Sequence, residues 1–330
     1  MILNGFFVTG PLKAQSFKPG HIIFRFRDSD RGNRMIRVSV YYPAFSGGKN
    51  KAPAPPEPPY PVVVFGHGYQ LPASIYENIT KALISEGFIV AFPLTEKGMF
   101  PSHRTLGRDI AFVAAQMRKE GASPESPLFG IAGGKCCFMG HSMGGGSAVL
   151  GAAYSLQPDA IALLSPLETR PSAVAVASSL SFPALIFAGG NDCITPPESN
   201  QDPLFAALNS TDKTYITIHG GSHCQMARYH YLCRLAEGTC RPKPAISREE
   251  QHAIIDRYLV PWLKSRLKGN AAERFKMDEL LKQDTSVSWT MVVKHQKFRL
   301  NMEMTGSGSS PLLYLTPSPS PGWRGEFIRD

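Results

Sequence analysis

No stretch of this 330-residue chain reaches the roughly 18 consecutive apolar side chains that would mark a helix spanning a bilayer. Acidic residues are in short supply, 26 Asp and Glu against 35 Lys and Arg, and the net charge is +9. A basic excess invites a nucleic-acid partner. Neither the interleaving of aromatic with basic residues nor a recognised binding module accompanies it, so that class is set aside. Part of the excess is local: Arg25, Arg27, Arg31, Arg34 and Arg37 fall in one early segment. That segment reads as edge strands, where charge blocks edge-to-edge pairing. Internal repeats are absent too. The opening apolar run, Ile2–Val8, is short and no basic residue precedes it, although residues 12–16 (LKAQS) offer a small-residue cleavage site. Residues 1–19 are therefore expected to be a signal remnant or a disordered start.

The hydrophobic content, 43%, is enough for one large α/β domain or two small ones. His21–Arg27 and Met35–Tyr42 alternate apolar and polar residues, as a pair of antiparallel edge strands would. The proline-rich stretch over 53–61 (PAPPEPPYP) is a stiff extended connector. Beyond it, short strand-like runs alternate with helical patterns, the first of them continuously apolar. The runs are Pro61–Phe65, Phe88–Phe92, Cys136–Met139, Ala160–Leu164, Ala184–Ala188 and Thr214–His219. The helical patterns cover Ile75–Glu86, Leu106–Lys119, Gly144–Leu156 and Ser247–Leu267. This alternation predicts a mostly parallel, eight-stranded sheet with helices on both faces, spanning 20–268. Past about residue 270 the pattern decays. Ser286–Val293 could add a strand, the Ser-, Gly- and Pro-rich Thr305–Pro321 reads as disordered, and 269–330 is expected to be a largely disordered extension.

Within the core, Gly140-His141-Ser142-Met143-Gly144 follows an apolar run and opens a helix of small residues. A serine hydroxyl is a poor nucleophile until it is exposed, aimed and given a base. A sharp strand-to-helix turn does the aiming, and its flanking glycines remove side chains that would collide with neighbouring backbone. Three successive glycines, 144–146, weaken a helix. Close packing of the turn against the sheet supplies a reason for them.

A nucleophile on such an elbow needs its acid and base later in the chain, in the order Ser, acid, His. Asp192 follows the strand Ala184–Ala188, and His223 follows the strand Thr214–His219. Both sit at the carboxyl ends of successive strands, where open α/β sheets build their sites. The rival acid is Glu168, and the rival bases are His219 and His230. An oxyanion hole needs two backbone N–H donors. Met143, directly after the serine, offers one. The loop Gly66-His67-Gly68-Tyr69-Gln70 offers the other, from Tyr69 or, as runner-up, Gln70.

Residues 66–69, 140–146, 190–197 and 220–225 together resemble the polyesterase, cutinase and dienelactone-hydrolase-like group of α/β-hydrolases. That group includes bacterial cutinases and poly(ethylene terephthalate) hydrolases, with chlorophyllases as more distant relatives. The resemblance covers about residues 20–268. It implies Ser142, Asp192 and His223 as a triad, Tyr69 and Met143 as oxyanion donors, and Tyr69 also as an aromatic wall. Many such polyester hydrolases place a Trp after the strand that follows the elbow helix. Here 164–168 reads LSPLE, with no aromatic residue, and Leu167 stands as the substrate-facing candidate. Met143 is the candidate groove floor.

Of six cysteines, Cys136 and Cys137 lie in an apolar run, whereas Cys193, Cys224, Cys233 and Cys240 lie in loop-like segments. Four loop cysteines favour an oxidising compartment, hence a secreted or periplasmic protein. Cys193 and Cys224 directly follow Asp192 and His223 on loops that must converge, and the resemblance implies a bridge between the same two loops. The expected pairs are therefore Cys193 with Cys224, and Cys233 with Cys240. The expectation is a monomeric serine ester hydrolase, with no cofactor and no metal, acting on small-molecule or polymeric esters. The alternatives are a lipase, a platelet-activating-factor acetylhydrolase-like enzyme or a chlorophyllase and, in another class, a non-catalytic binding protein on a hydrolase scaffold. A peptidase is less favoured.

Overall fold

The computed structural model describes residues 16–154, 158–294 and 301–306. Its strands are β1 (Lys18–Asp28), β2 (Arg34–Ala44), β3 (Gly48–Lys49), β4 (Tyr60–Gly66), β5 (Ile89–Pro93) and β6 (Ala132–His141). They continue with β7 (Ala160–Leu164), β8 (Ala184–Gly189), β9 (Asp212–Ile218), β10 (Val287–Lys294) and β11 (Asn301–Gly306). All join one sheet in the order β11-β10-β9-β8-β7-β6-β4-β5-β2-β1-β3. The central run from β9 to β5 is parallel throughout. Antiparallel pairs flank it, β2 against β5 on one side and β10 against β9 on the other.

Among the described residues the sheet thus has eleven strands rather than the expected eight. The eight runs read from sequence are all present. The additions are the two-residue β3, β10, which occupies the run Ser286–Val293 read as a possible further strand, and β11.

The helices are α1 (Glu77–Ser85), α2 (His103–Ala122), α3 (Met143–Tyr154), α4 (Ala173–Ala177), α5 (Gln201–Ala207), α6 (Tyr231–Ala236), α7 (Arg248–Lys268) and α8 (Ala271–Gln283). Period-two alternation in the strands sorts their side chains between two cores. Val63 and Phe65 of β4 face a cluster with Ile79 and Leu83 of α1, Ile255, Tyr258 and Trp262 of α7, and Met277 of α8. Val62 and Val64 face the opposite cluster with Leu106, Ile110 and Met117 of α2, Val149 of α3 and Leu204 of α5. Both faces of the sheet are therefore covered, as a parallel sheet requires. The longest helix, α7, starts on a capping box in which Ser247 and Glu250 satisfy each other's backbone N–H groups. It ends at Gly269, whose φ of +71° suits glycine.

The structure departs from the expected boundary at residue 268. Helix α8 packs Met277 and Leu281 into the core, and β10 pairs with β9 from Val287 to Val293. The sheet gains its far edge from a region expected to be largely disordered. The rest of that expectation, and most of the N-terminal one, concerns residues 307–330 and 1–15, which lie outside the described residues. The early arginines do more than shield an edge. Arg31 and Arg34 both reach the fully buried Asp109 on α2, at 2.7 and 2.8 Å. Among the described residues no helix is long and apolar enough to cross a membrane.

Candidate active site

The parallel strands end at one edge of the sheet, and the chemistry-bearing residues lie in the loops leaving it. Ser142 sits between β6 and α3 with φ +56°, in the left-handed region that a non-glycine residue rarely adopts. The surroundings impose that conformation. The Ser142 N–H donates to the Leu164 carbonyl at 3.0 Å, and its own carbonyl accepts from the N–H groups of Gly145, Gly146 and Leu167 at 3.0, 3.2 and 2.9 Å. Gly144 allows the elbow to reach the end of β4, because a Cβ there would collide with the carbonyl oxygens of Gly66 and His67. Ser142 is left 9% exposed, at the N-terminus of α3.

Asp192 follows β8 and His223 follows β9, and the structure brings the two together. His223 Nδ1 lies 2.9 Å from Asp192 Oδ2, with both side chains buried. The other carboxylate oxygen, Oδ1, accepts from the N–H groups of Ile194 and Thr195 at 2.9 and 2.8 Å. Burial alone would raise the Asp192 pKa, but the nearby His223 and these hydrogen bonds bring it below the ordinary carboxylate value. The His223 loop is clamped from α7: Arg248 donates to the carbonyls of Cys224 and Ala227. With Nδ1 committed to the carboxylate, Nε2 is the ring atom left to exchange a proton.

The rival residues are engaged elsewhere. Glu168 accepts from Val174 N at 3.0 Å, in the first turn of α4. His219 Nδ1 meets the Thr285 carbonyl, and the His230 ring packs on Tyr231.

Tyr69 lies in the loop after β4 and is 46% exposed, its hydroxyl donating to the Met99 carbonyl at 2.9 Å. Met99, whose carbonyl Tyr69 reaches, and Phe100 are exposed, Phe100 at 94%, so an apolar rim adjoins the loop after β4. The backbone N–H groups of Tyr69 and Met143 make no hydrogen bond among the described residues. The Met143 side chain does not form a groove floor. It is 1% exposed and packs into the core on the α2 and α3 side, because the first turn of α3 aims it at the sheet. Leu167 is half-buried beside the elbow, joined to it through its own N–H.

The disulfide partners exchange relative to expectation. Cys193 pairs with Cys240, and Cys224 with Cys233, at Cα separations of 5.6 and 5.5 Å. The reason is the path of the segment over 231–243, which folds back over both loops. Glu237 accepts from Cys224 N at 2.7 Å, and Asn191 Nδ2 donates to the Lys243 carbonyl at 2.7 Å. Each loop therefore meets this segment, and each takes its partner from it.

Three residues at the site escaped the sequence reading. Thr195 Oγ1 lies 3.0 Å from both Asp192 Oδ2 and His223 Nδ1. Its place three residues after Asp192, where the carboxylate caps its N–H, was the available signal. Tyr76 and His141 form a buried pair at 3.1 Å behind the elbow, and nothing local in the sequence marks them as partners. Among the described residues no group of three or more His, Cys, Asp or Glu side chains is arranged to hold a metal ion.

A PET hydrolase-like family model matches residues 30–234, more than half of the chain, from just before β2 into α6. The chain belongs to the PET hydrolase-like family. A bis(hydroxyethyl) terephthalate hydrolase from Streptomyces coelicolor is 27% identical over 186 residues. That match spans 56% of this chain and 54%, about half, of the relative's length. The family match ends before α7, α8 and the two last strands, the part of the PET hydrolase-like chain that completes the sheet edge.

Proposed function

We propose that this protein hydrolyses carboxylic esters through an acyl-serine intermediate, with Ser142 as nucleophile, His223 as general base and Asp192 as the acid that orients it. The observation that carries the reading is the buried Asp192–His223 hydrogen bond, beside a serine held at positive φ on a strand-to-helix elbow. His223 Nε2 takes the Ser142 proton as Oγ bonds to the ester carbonyl carbon, and the carbonyl electron pair moves onto oxygen. The resulting oxyanion accepts from the Met143 and Tyr69 N–H groups, the first aided by the N-terminus of α3. The tetrahedral adduct then collapses. The C–O bond to the alcohol breaks, and the imidazolium gives its proton to the leaving oxygen. Water repeats the sequence on the acyl-enzyme and releases the acid. Asp192 stays ionised throughout and stabilises the imidazolium.

For the substrate we favour short to medium acyl esters and polyester segments, terephthalate esters among them. The family membership and the relative's substrate support this. So does the exposed rim of Tyr69, Met99 and Phe100, which can receive an apolar chain. Two disulfides fit work in an oxidising compartment, outside the cell or in the periplasm.

The test is the purified enzyme on p-nitrophenyl butyrate, p-nitrophenyl palmitate and bis(hydroxyethyl) terephthalate, with Ser142→Ala and His223→Ala alongside. Each variant should lose several orders of magnitude in kcat. Retention of more than about a tenth of wild-type activity by either would overturn the assignment. A wild type inert on all three esters would favour a binding role on this scaffold, and a strong palmitate preference would favour a lipase.

A further inference from the structure

The mechanism just given leaves one buried polar system unused. The Tyr76 hydroxyl, with no solvent exposure, lies 2.8 Å from the Gly68 N–H and 3.1 Å from His141 Nδ1. His141, equally buried, sets its Nε2 3.1 Å from the His223 carbonyl oxygen. The proton positions in this series follow from the end groups. An amide N–H only donates, so the Tyr76 oxygen accepts from Gly68. A carbonyl only accepts, so His141 Nε2 carries a hydrogen. A neutral imidazole holds one hydrogen, so His141 Nδ1 is bare and accepts from the Tyr76 O–H. Burial keeps both groups uncharged, raising the phenol pKa and holding the imidazole well below its ordinary value.

We infer that Tyr76 and His141 form a one-way hydrogen-bond chain fixing the oxyanion loop relative to the His223 loop, and that Tyr76 is a positioning residue for ester hydrolysis. This rests on the reading of Ser142, His223 and the two N–H donors given above.

The chain runs from the loop after β4, through the residue preceding the nucleophile, to the backbone of the base. Gly68 directly precedes Tyr69, so a displaced Gly68 carries the Tyr69 N–H with it. The packing there is close: a Cβ on Gly68 would sit 3.2 Å from the Tyr76 hydroxyl and 3.3 Å from His141 Nδ1. The Tyr76 ring is held against Phe65, with centroids 4.6 Å apart, and stacks on Phe92 at 6.1 Å. Its hydroxyl is therefore delivered by packing that a phenylalanine would preserve.

The test is Tyr76→Phe in the full-length enzyme. It removes one oxygen and leaves the Gly68 N–H and His141 Nδ1 without that partner. With p-nitrophenyl butyrate, kcat should fall about 10- to 100-fold while KM stays within about threefold, the signature of misplaced reacting groups. Affinity for butylboronic acid, which forms a tetrahedral adduct on a serine and fills the oxyanion position, should weaken by the same factor. A role confined to holding the fold would lower the melting temperature and leave kcat and boronate affinity of the folded protein unchanged, and that result overturns the inference. If the variant does not fold, nitrogen NMR of 15N-histidine-labelled wild type decides. His141 must appear as the Nε2–H tautomer, and an Nδ1–H tautomer overturns the chain. Ser142→Ala in the same series separates the two levels. An active Ser142→Ala overturns the underlying reading. An inactive one beside a kinetically normal Tyr76→Phe overturns the chain alone.

Discussion

Replacing Asp192 with Asn tests the acid with the least change of shape. The carboxylate accepts on both oxygens. Oδ1 takes the Ile194 and Thr195 N–H groups, while Oδ2 faces His223 Nδ1 and the Thr195 hydroxyl. An amide has only one acceptor oxygen, and the two backbone donors cannot be reversed. The amide oxygen must therefore stay with them, which turns the NH2 group toward His223. His223 Nδ1 then has to accept, so its hydrogen moves to Nε2, the atom that should receive the Ser142 proton. The base is present, in place and in the wrong tautomer. The expected loss in kcat at neutral pH is about 10⁴-fold, or about 5.5 kcal/mol of transition-state stabilisation. The assay is steady-state hydrolysis of p-nitrophenyl butyrate, with the melting temperature measured in parallel. Because the side chain keeps its volume and three of its four neighbours, the fold should survive. A folded variant with more than about a tenth of wild-type kcat would refute the assignment of Asp192 as the orienting acid.

Further outcomes follow from other contacts. Gly144→Ala should lower both melting temperature and kcat, at a cost of about 1–3 kcal/mol, because the new methyl meets two backbone carbonyls at the end of β4 and in the loop after it; unchanged stability in thermal melts would show that the loop yields. Mass mapping of the unreduced protein should yield linked peptides for Cys193–Cys240 and Cys224–Cys233. Opening the first, which closes 47 residues, should cost about 4 kcal/mol, and opening the second, which closes 9, about 2.5 kcal/mol, read from denaturant midpoints of the serine variants. Burial pushes the Asp256 carboxyl up to about 6, and its Oδ1 has no hydrogen-bond partner among the described residues. The folded state then binds more protons than the unfolded one between about pH 4 and 6, so stability falls as pH rises through that window. Asp256→Asn should accordingly stabilise the protein by up to about 3 kcal/mol at pH 8 and hardly at all at pH 4; equal effects at both values would contradict the burial account.

What the sequence revealed and what it hid divide along a physical line. Strands β4 to β8 were legible because burial on both faces leaves continuous apolar runs, as in the fully buried β4, and β9 because its buried residues alternate with half-buried ones. The positions of Asp192 and His223 were legible because each lies a few residues past the end of one of these strands, β8 and β9. Helix α8 was not, because it commits only Met277 and Leu281 fully to the core while exposing Phe275 and Leu280, so no clean apolar face shows in its pattern. The disulfide pairing was hidden because it depends on what folds over each cysteine and not on what each one follows. Adjacency to Asp192 and His223 places Cys193 and Cys224 correctly but says nothing about the segment over 231–240 that supplies both partners. The Tyr76–His141 pair is the extreme case. Its members stand 65 residues apart, and His141 reaches across 82 residues to the His223 carbonyl. Local pattern can locate a residue in an element, and element order can place it at one edge of a sheet. A hydrogen bond made behind that edge depends on the angle at which three loops leave it, and that angle is set by packing such as Tyr76 on Phe65 rather than by any residue's neighbours in sequence.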